Sequence, residues 1–466
     1  MSFVFRRLNP WHLFVGLCVL IGPTHGIGLL HADGTPSVAP GLSWDPGSQK
    51  LSANIDGWSL PKTLARLSRI TGWEVRIEPG ADQRIATRFH LLDPSDALQR
   101  LLGNLNFAVL PRSNTVPQLL IYRTSATQAT EVVPAAGKIG DELLITLKPG
   151  DPSRIDAIAR QYGAKIIGQS DSLNTYRLKF GSDAAANLAR ETLKSNGDIA
   201  GVENNIRYDR PDFGEIATDA AVPSLNLKPK GVLPKDQLVV ALIDTGIQKI
   251  ATPYDGFVLP AVKLESASTV DETSGLSHGT GMLLTLLNGL GYTQKEGESN
   301  VRVLPINVFN SAETTTSFDV ALGINEAWAR GATAFNLSLG TPDPSPLLDN
   351  LMHQIHDKGG MFISAAGNTP TAQPSFPAGS PWGISVTASQ GPGVLASFAN
   401  FAPTTDVMAS GRSVVSWNGQ RWLITGTSPA AASVSGISAG LLSRGWTPQM
   451  VEVDLKKNLP FTPGNK

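Results

Sequence analysis

The chain has 466 residues, which at roughly 100–200 residues per domain argues for two to four domains. Its 38 Lys and Arg against 39 Asp and Glu leave a net charge of −1, which weighs against a nucleic-acid binder or a polybasic lipid anchor. Hydrophobic residues at 41% with only 17% charged support packed cores over disorder, and one cysteine excludes a disulfide framework, an iron–sulfur cluster and a multi-cysteine zinc site.

That cysteine, Cys18, lies in a short apolar run, Leu13 to Ile21, preceded by Arg6 and Arg7 and followed by Gly/Pro/His-rich sequence to Ala32. A basic start, a short apolar run and small residues read as a secretory signal over residues 1–32. The run falls well short of the roughly 20 residues of a spanning helix, which disfavours a retained anchor. Leu17 before the cysteine disfavours a lipoprotein signal, and the twin arginines lack the rest of a twin-arginine signal. Loss of the signal would leave a mature chain without cysteine.

Residues 33–50 are rich in Gly, Pro and Ser and read as a linker. In the unit over residues 51–123, Leu60, Leu64, Leu67 and Ile70 fall at helical spacing, and Trp73 to Ile77 alternates like a strand. A second helix spans Pro94 to Leu105, opened by Asp93-Pro94-Ser95, with Ala97, Leu98, Leu101 and Leu102 on one face. Gln118 to Tyr122 closes a small α+β pattern. NIDGWSLPKTLARLSRITGWEVRIEP followed by DPSDALQRLLGNLNFAVL resembles the short N-terminal domain of secretins and TonB-dependent receptors. That resemblance implies protein–protein contacts in a Gram-negative periplasm, with envelope secretion or receptor machinery as partner; a generic α+β spacer is the plainer alternative.

After a linker over residues 124–139, residues 140–210 form another α+β unit. Its strands are Asp141–Lys148, Tyr176–Phe180 and Ile199–Tyr208; its helices run from Ile155 to Tyr162 and from Ala184 to Ser195. Alone, this is an anonymous ferredoxin-like pattern. Residues 211–236 follow as a connecting stretch.

From Gln237 to the end, strands and helices alternate. Leu238 to Ile243 is an unbroken apolar strand, as expected where both faces of a parallel sheet are covered. Further strands are expected at Val301–Val308, Thr333–Leu337, Met361–Ala365 and Gly383–Thr387. Helices are expected at His278–Leu290, Phe318–Arg330, Leu347–Asp357, Ser428–Ser443 and Pro448–Lys457. This is a doubly wound α/β parallel sheet, preceded by two small α+β domains. Chemistry in such sheets belongs at strand carboxyl ends and helix starts.

Three residues stand there. Asp244 ends the first strand in Ile243-Asp-Thr-Gly246, His278 opens a helix in Ser277-His-Gly-Thr280, and Ser428 opens another in Gly426-Thr-Ser-Pro-Ala430. A hydroxyl nucleophile needs a base in hydrogen-bond reach, and the imidazole needs a carboxylate to fix its tautomer. Asp, His, Ser along the chain is the order of subtilisin, unlike chymotrypsin or the α/β-hydrolases. Phe362-Ile-Ser-Ala-Ala-Gly-Asn368 delivers an amide, Asn368, which together with the backbone N–H of Ser428 can stabilise an oxyanion.

ALIDTGI, SHGTG, NLSLG, SAAGN and TGTSPAAASVSG, in that order, resemble the motifs of subtilisin-like serine proteases over residues 237–466. The resemblance implies Asp244 as orienting carboxylate, His278 as general base and acid, Ser428 as nucleophile and Asn368 as oxyanion donor. It implies that Ser338, Leu339 and Gly340 pair with substrate backbone and edge the specificity pocket, and that Ala365, Ala366 and Gly367 line the opposite wall. Gly281-Met-Leu-Leu284 departs from the family pattern, as does Pro429 after the nucleophile; neither position transfers protons. The segment Gln373–Ser380 carries no acidic residue, which favours apolar over basic side chains at the pocket floor. The loop Gly291–Asn300 lacks a calcium-site pattern, which leaves a structural calcium open. No redox or nucleotide cofactor is implied.

Residues 140–210 then resemble the inhibitory propeptide of these proteases, with DELLITLKPG, a helix leading to Tyr162-Gly-Ala-Lys, and a closing VENNIRY. The tail of such a propeptide is expected in the active site as a product-like strand, with the processing site within Pro211–Leu233. His353 and His356, three apart on a helix, read as a solvated face, with no further ligand for a metal. The expectation is an exported serine endopeptidase, periplasmic in a Gram-negative bacterium or else secreted or membrane-tethered, acting on protein or peptide substrates and restrained by its own propeptide. The alternative is a subtilase-fold interaction protein that docks and binds peptide without turnover.

Overall fold

The structure, a computed structural model, describes residues 41–462 apart from 46, 82, 112–116, 134–136, 151, 212–214, 217–220, 224–225, 232, 251–253, 273–274, 295–296 and 312. The expected signal over residues 1–32 lies outside the described residues. Among the described residues no helix is long and apolar enough to cross a membrane.

The first domain runs β1 (Gly41–Asp45), β2 (Lys50–Ser59), α1 (Leu60–Thr71), β3 (Glu74–Ile77), β4 (Arg84–Leu92), α2 (Pro94–Leu102), β5 (Asn106–Leu110), β6 (Gln118–Tyr122) and β7 (Glu131–Val133). Its strands form two sheets, β1-β2-β4 and β5-β6-β3-β7. Leu60, Leu64 and Leu67 sit on one face of α1 and are fully buried, each contributing roughly 1.5–3 kcal/mol. Gly103, at φ 56°, stops α2 short of the expected Leu105. Two expected linkers are corrected. Residues 41–45 pair antiparallel with β2 and bury Leu42, and β7 pairs with β3 inside the stretch 124–139. Both strands are short and flanked by turn formers, so the hydrophobic pattern around them carries little period.

The second domain has β8 (Lys138–Leu147), α3 (Arg154–Gln161), β9 (Lys165–Ser170), β10 (Thr175–Lys179), α4 (Asp183–Leu193) and β11 (Ile199–Asp209). Its sheet is ordered β11-β8-β10-β9, every pairing antiparallel. β9 is a strand that the sequence pattern did not mark; Gly168 and Gln169 interrupt its apolar alternation.

Short strands β12 (Glu215–Ile216) and β13 (Leu227–Pro229) lead into β14 (Leu238–Asp244). Then come β15 (Val262–Lys263), α5 (His278–Thr293), β16 (Gly297–Ser299), β17 (Val301–Asn307), β18 (Thr314–Thr316), α6 (Ser317–Ala329), β19 (Ala332–Leu337), α7 (Pro346–Asp357) and β20 (Met361–Ala365). The chain ends with β21 (Ile384–Gly391), β22 (Val394–Leu395), β23 (Val407–Ser410), β24 (Arg412–Trp417), β25 (Gln420–Thr425), α8 (Thr427–Leu442) and α9 (Pro448–Asn458). The main sheet, β15-β17-β14-β19-β20-β21, is parallel throughout, with β23 parallel and β22 antiparallel to β21. The doubly wound α/β expectation is met.

Helix α8 crosses the middle of this domain and is buried along almost its whole length. Its small residues permit that: a Cβ at Gly436 would collide with the Leu286 carbonyl oxygen of α5, and one at Gly289 with the Ser433 carbonyl oxygen of α8. The two helices whose first turns carry His278 and Ser428 are thereby locked backbone to backbone.

The second and third domains share a sheet edge. The end of β11 pairs antiparallel with β18, Arg207 opposite Thr316, Tyr208 opposite Thr315 and Asp209 opposite Thr314, and Arg210 N–H donates to the Glu313 carbonyl at 2.8 Å. Within the stretch 211–236, expected as the processing linker, described residues form strands against the third domain. β12 pairs with β25, β13 pairs with β16, and Leu227 is buried.

Candidate active site

Asp244 is the last residue of β14, and its side chain is the end of that strand turned into a charge. Its Oδ1 lies 2.7 Å from His278 Nδ1, both side chains 1% exposed. The same oxygen accepts the Thr245 backbone N–H at 2.6 Å. The helix that carries His278 is fixed to this turn by several bonds. Gly279 N–H donates to Thr245 Oγ1, Ser277 Oγ donates to the Gly246 carbonyl, and Ser277 Oγ caps α5 by accepting from Thr280 N–H. Gln248, which the sequence pattern did not single out, is buried here; its Oε1 accepts Ser277 N–H and its Nε2 donates to the Asp271 and Gly275 carbonyls. The carboxylate thus sets the imidazole's orientation, and the imidazole's loop is set by an amide.

β14 and β19 run side by side in register, Ile243 beside Leu337, so one residue further on Asp244 stands beside Ser338. Ser338 in turn touches the nucleophile candidate twice. Its Oγ donates to the Ser428 carbonyl at 3.3 Å, and Ser428 Oγ donates to the Ser338 carbonyl at 3.4 Å. Ser428, 4% exposed, is in the first turn of α8, where backbone N–H groups have no partner within the helix. Gly426 at φ 150° makes the entry, and a Cβ there would stand 3.1 Å from Asn368 Nδ2.

Asn368 follows β20. Its Oδ1 accepts both Thr427 N–H at 2.8 Å and Thr427 Oγ1 at 2.9 Å, while Thr427 Oγ1 accepts Gly367 N–H at 3.0 Å. With the amide oxygen engaged, the NH₂ group is the end available to an oxyanion, beside Ser428 N–H. Thr427, whose role the sequence did not signal, sets that amide's orientation.

Ser338, Leu339 and Gly340 continue directly from β19, and Ala365 ends β20 with Ala366 and Gly367 following it. The two strands pair in parallel up to Leu337 and Ser364, which places both expected walls at the same carboxyl edge as Asp244. Ser338, Leu339, Ala365 and Ala366 are buried. Every expected site residue therefore lies at one edge of the sheet. Among the described residues no group of three or more His, Cys, Asp or Glu could hold a metal. On α7, His353 stacks on Trp382 at 3.8 Å between centroids and lies 3.3 Å from Asp357, a half-exposed arrangement.

Residues 235–459 match the subtilase family, and residues 125–205 match the fervidolysin N-terminal prodomain. A thermophilic serine proteinase of Bacillus sp. (strain AK1) is 31% identical over 211 residues, 44% of this chain and 52% of that protein. A thermostable alkaline protease of Halalkalibacterium halodurans is 29% identical over 322 residues, 66% of this chain and 83% of that protein. The chain spans about half the length of several curated relatives it matches. Among solved structures, fervidolysin from Fervidobacterium pennivorans, a keratinolytic enzyme related to subtilisin, superimposes with a TM-score of 0.52 over 68% of this chain and 57% of that one. At 19% identity that likeness is one of fold.

Proposed function

We propose that this chain, whose residues 235–459 match the subtilase family, is a serine endopeptidase made as a precursor and cutting peptide bonds through Asp244, His278 and Ser428. The observation that carries the reading is the buried 2.7 Å contact of Asp244 with His278 Nδ1, at the sheet edge where Ser338 holds Ser428. With Nδ1–H donated to Asp244, the other ring nitrogen, Nε2, is the base that takes the Ser428 proton. Ser428 Oγ then attacks the substrate carbonyl carbon. The oxygen's developing charge is met by Asn368 Nδ2 and Ser428 N–H. The imidazolium returns the proton to the leaving amine, and water repeats the sequence on the acyl-enzyme. Ser428 Oγ rests at 3.4 Å from the Ser338 carbonyl, a bond it gives up when its proton passes to His278.

Residues 140–210 act as the inhibitory prodomain. The reading is supported by β11, whose end adds to β18 as an antiparallel strand, the way an extended peptide adds to a sheet edge. Substrate backbone pairs along Ser338, Leu339 and Gly340 once the prodomain leaves. Export rests on Arg6, Arg7 and the run Leu13–Ile21, with a Gram-negative periplasm as destination, and the domain over 41–133 docks to envelope secretion or receptor machinery. Its likeness to the secretin and TonB-receptor N-terminal domain is the support for that partner.

Turnover separates this reading from that of a peptide-binding protein. Purified protein is expected to cleave unfolded casein, and Ser428→Ala to abolish cleavage while leaving the fold intact. Casein that is bound and never cut by the wild-type protein would overturn it.

A further inference from the structure

Beneath the nucleophile lies a buried polar chain that neither the triad nor the oxyanion hole uses. Ser435 Oγ lies 2.9 Å from Asn336 Oδ1, Asn336 Nδ2 donates to Ser338 Oγ at 2.9 Å, and Ser338 Oγ donates to the Ser428 carbonyl at 3.3 Å. Asn336 and Ser435 are fully buried and Ser338 is 1% exposed. Three donors and three acceptors run in one direction, hydroxyl to amide to hydroxyl to carbonyl, so each polar atom in the chain has a use.

The placement is unusual for its parts. Asn336 sits in β19, in the middle of the apolar main sheet, where a polar side chain costs free energy unless its amide is satisfied. Ser435 lies seven residues, two turns, past Ser428 on the same side of α8, within a helix otherwise made of small and apolar residues. Its hydroxyl also lies 2.9 Å from the Ala431 carbonyl, one turn back. Nothing about packing requires an amide and two hydroxyls here; alanine would fill Ser435 with less penalty.

We infer that Ser435 and Asn336 are positioning residues for the nucleophile. Acting through Ser338, they clamp the Ser428 carbonyl to the end of β19 and so fix the first turn of α8. The consequence is geometric. The Ser428–Pro429 peptide cannot rotate without breaking the bond from Ser338, which fixes the Ser428 backbone from its carbonyl side and so keeps Ser428 Oγ and Ser428 N–H, attacking group and oxyanion donor, at set positions relative to Asp244 on the neighbouring strand. Neither Ser435 nor Asn336 touches substrate; a loss at either is felt by the transition state and not by ground-state binding.

This inference rests on Ser428 being the nucleophile, and the test separates the two claims. Peptide hydrolysis by the full chain is measured for Ser435→Ala, Ser338→Ala and the double variant, with thermal unfolding followed alongside. Each single change is expected to lower kcat by about five- to thirtyfold with KM within twofold, as loss of a buried hydrogen bond in a reacting geometry implies. The double variant is expected to be no slower than the worse single one, because both act through one chain. Ser435→Thr, which keeps the hydroxyl, is expected to retain kcat within twofold, and it carries the test if the alanine variant does not fold. Unchanged kcat in Ser435→Ala, losses that multiply in the double variant, or a Thr variant as slow as the Ala variant would overturn the positioning role. Activity persisting in Ser428→Ala would instead overturn the nucleophile assignment.

Discussion

Asn368 presents only one end of its amide to the cleft, because Thr427 takes the other through both its N–H and its hydroxyl. Replacing Asn368 with Ala is therefore expected to lower kcat by about 10²–10³ with little change in KM, read from steady-state peptide hydrolysis; the size of that loss is the one documented for the corresponding donor in subtilisin. The four candidate residues stand out in the sequence because each lies in a short Gly- and Thr-rich segment at a strand end or helix start, and the structure gathers them at one sheet edge. Their supports do not stand out. Asn336 and Ser435 are 99 residues apart and join only when α8 packs on β19. Gln248 and Thr427 look like ordinary turn residues until their partners are known. A sequence pattern shows periodicity and local turns; it does not show which buried hydroxyl meets which amide.

At the scale of elements, the prodomain strand β11 caps two helices of the protease domain. Glu203 accepts the Ser345 hydroxyl and the Leu347 N–H at the start of α7, and Asn205 Oδ1 accepts from the Ser317 hydroxyl and Phe318 N–H at the start of α6. Burial pushes the Glu203 carboxyl up from its usual value to about 7, against the opposing effect of the Ser345 and Leu347 bonds. The docked form thus holds a proton more tightly than the separated prodomain, where the carboxyl returns to about 4.5. Docking is strongest below that lower value and loses this contribution as pH rises through about 7. Inhibition of the protease by added prodomain is expected to be roughly tenfold or more tighter at pH 5 than at pH 8, and Glu203→Gln to flatten the difference. Affinity that rises with pH would contradict the cap. The long apolar strand β14 and the periodic helices were plain in the sequence. The pairing of β11 with β18 was not, since Thr314–Thr316 offers three threonines and no apolar run.

Across the whole molecule, the chain places its first domain against both others. Arg69 pairs with Asp209 at 2.7 Å, at the paired end of β11, and Arg66 donates to Thr369 Oγ1 at 3.0 Å, next to Asn368. Arg66 thereby reaches the loop that carries Asn368, and Tyr208 of β11 is fully buried in a core cluster shared with the third domain. That organisation suits a protease restrained until its tail leaves, and everything in it turns on Ser428 being the reacting group. The most direct measurement is labelling by a fluorophosphonate probe, with the adduct located by peptide mass spectrometry. The account predicts one adduct, on Ser428, lost in Ser428→Ala and slowed in Asp244→Asn by disorientation of His278. Labelling that survives Ser428→Ala, or an active protein whose adduct lies on another residue, would contradict it.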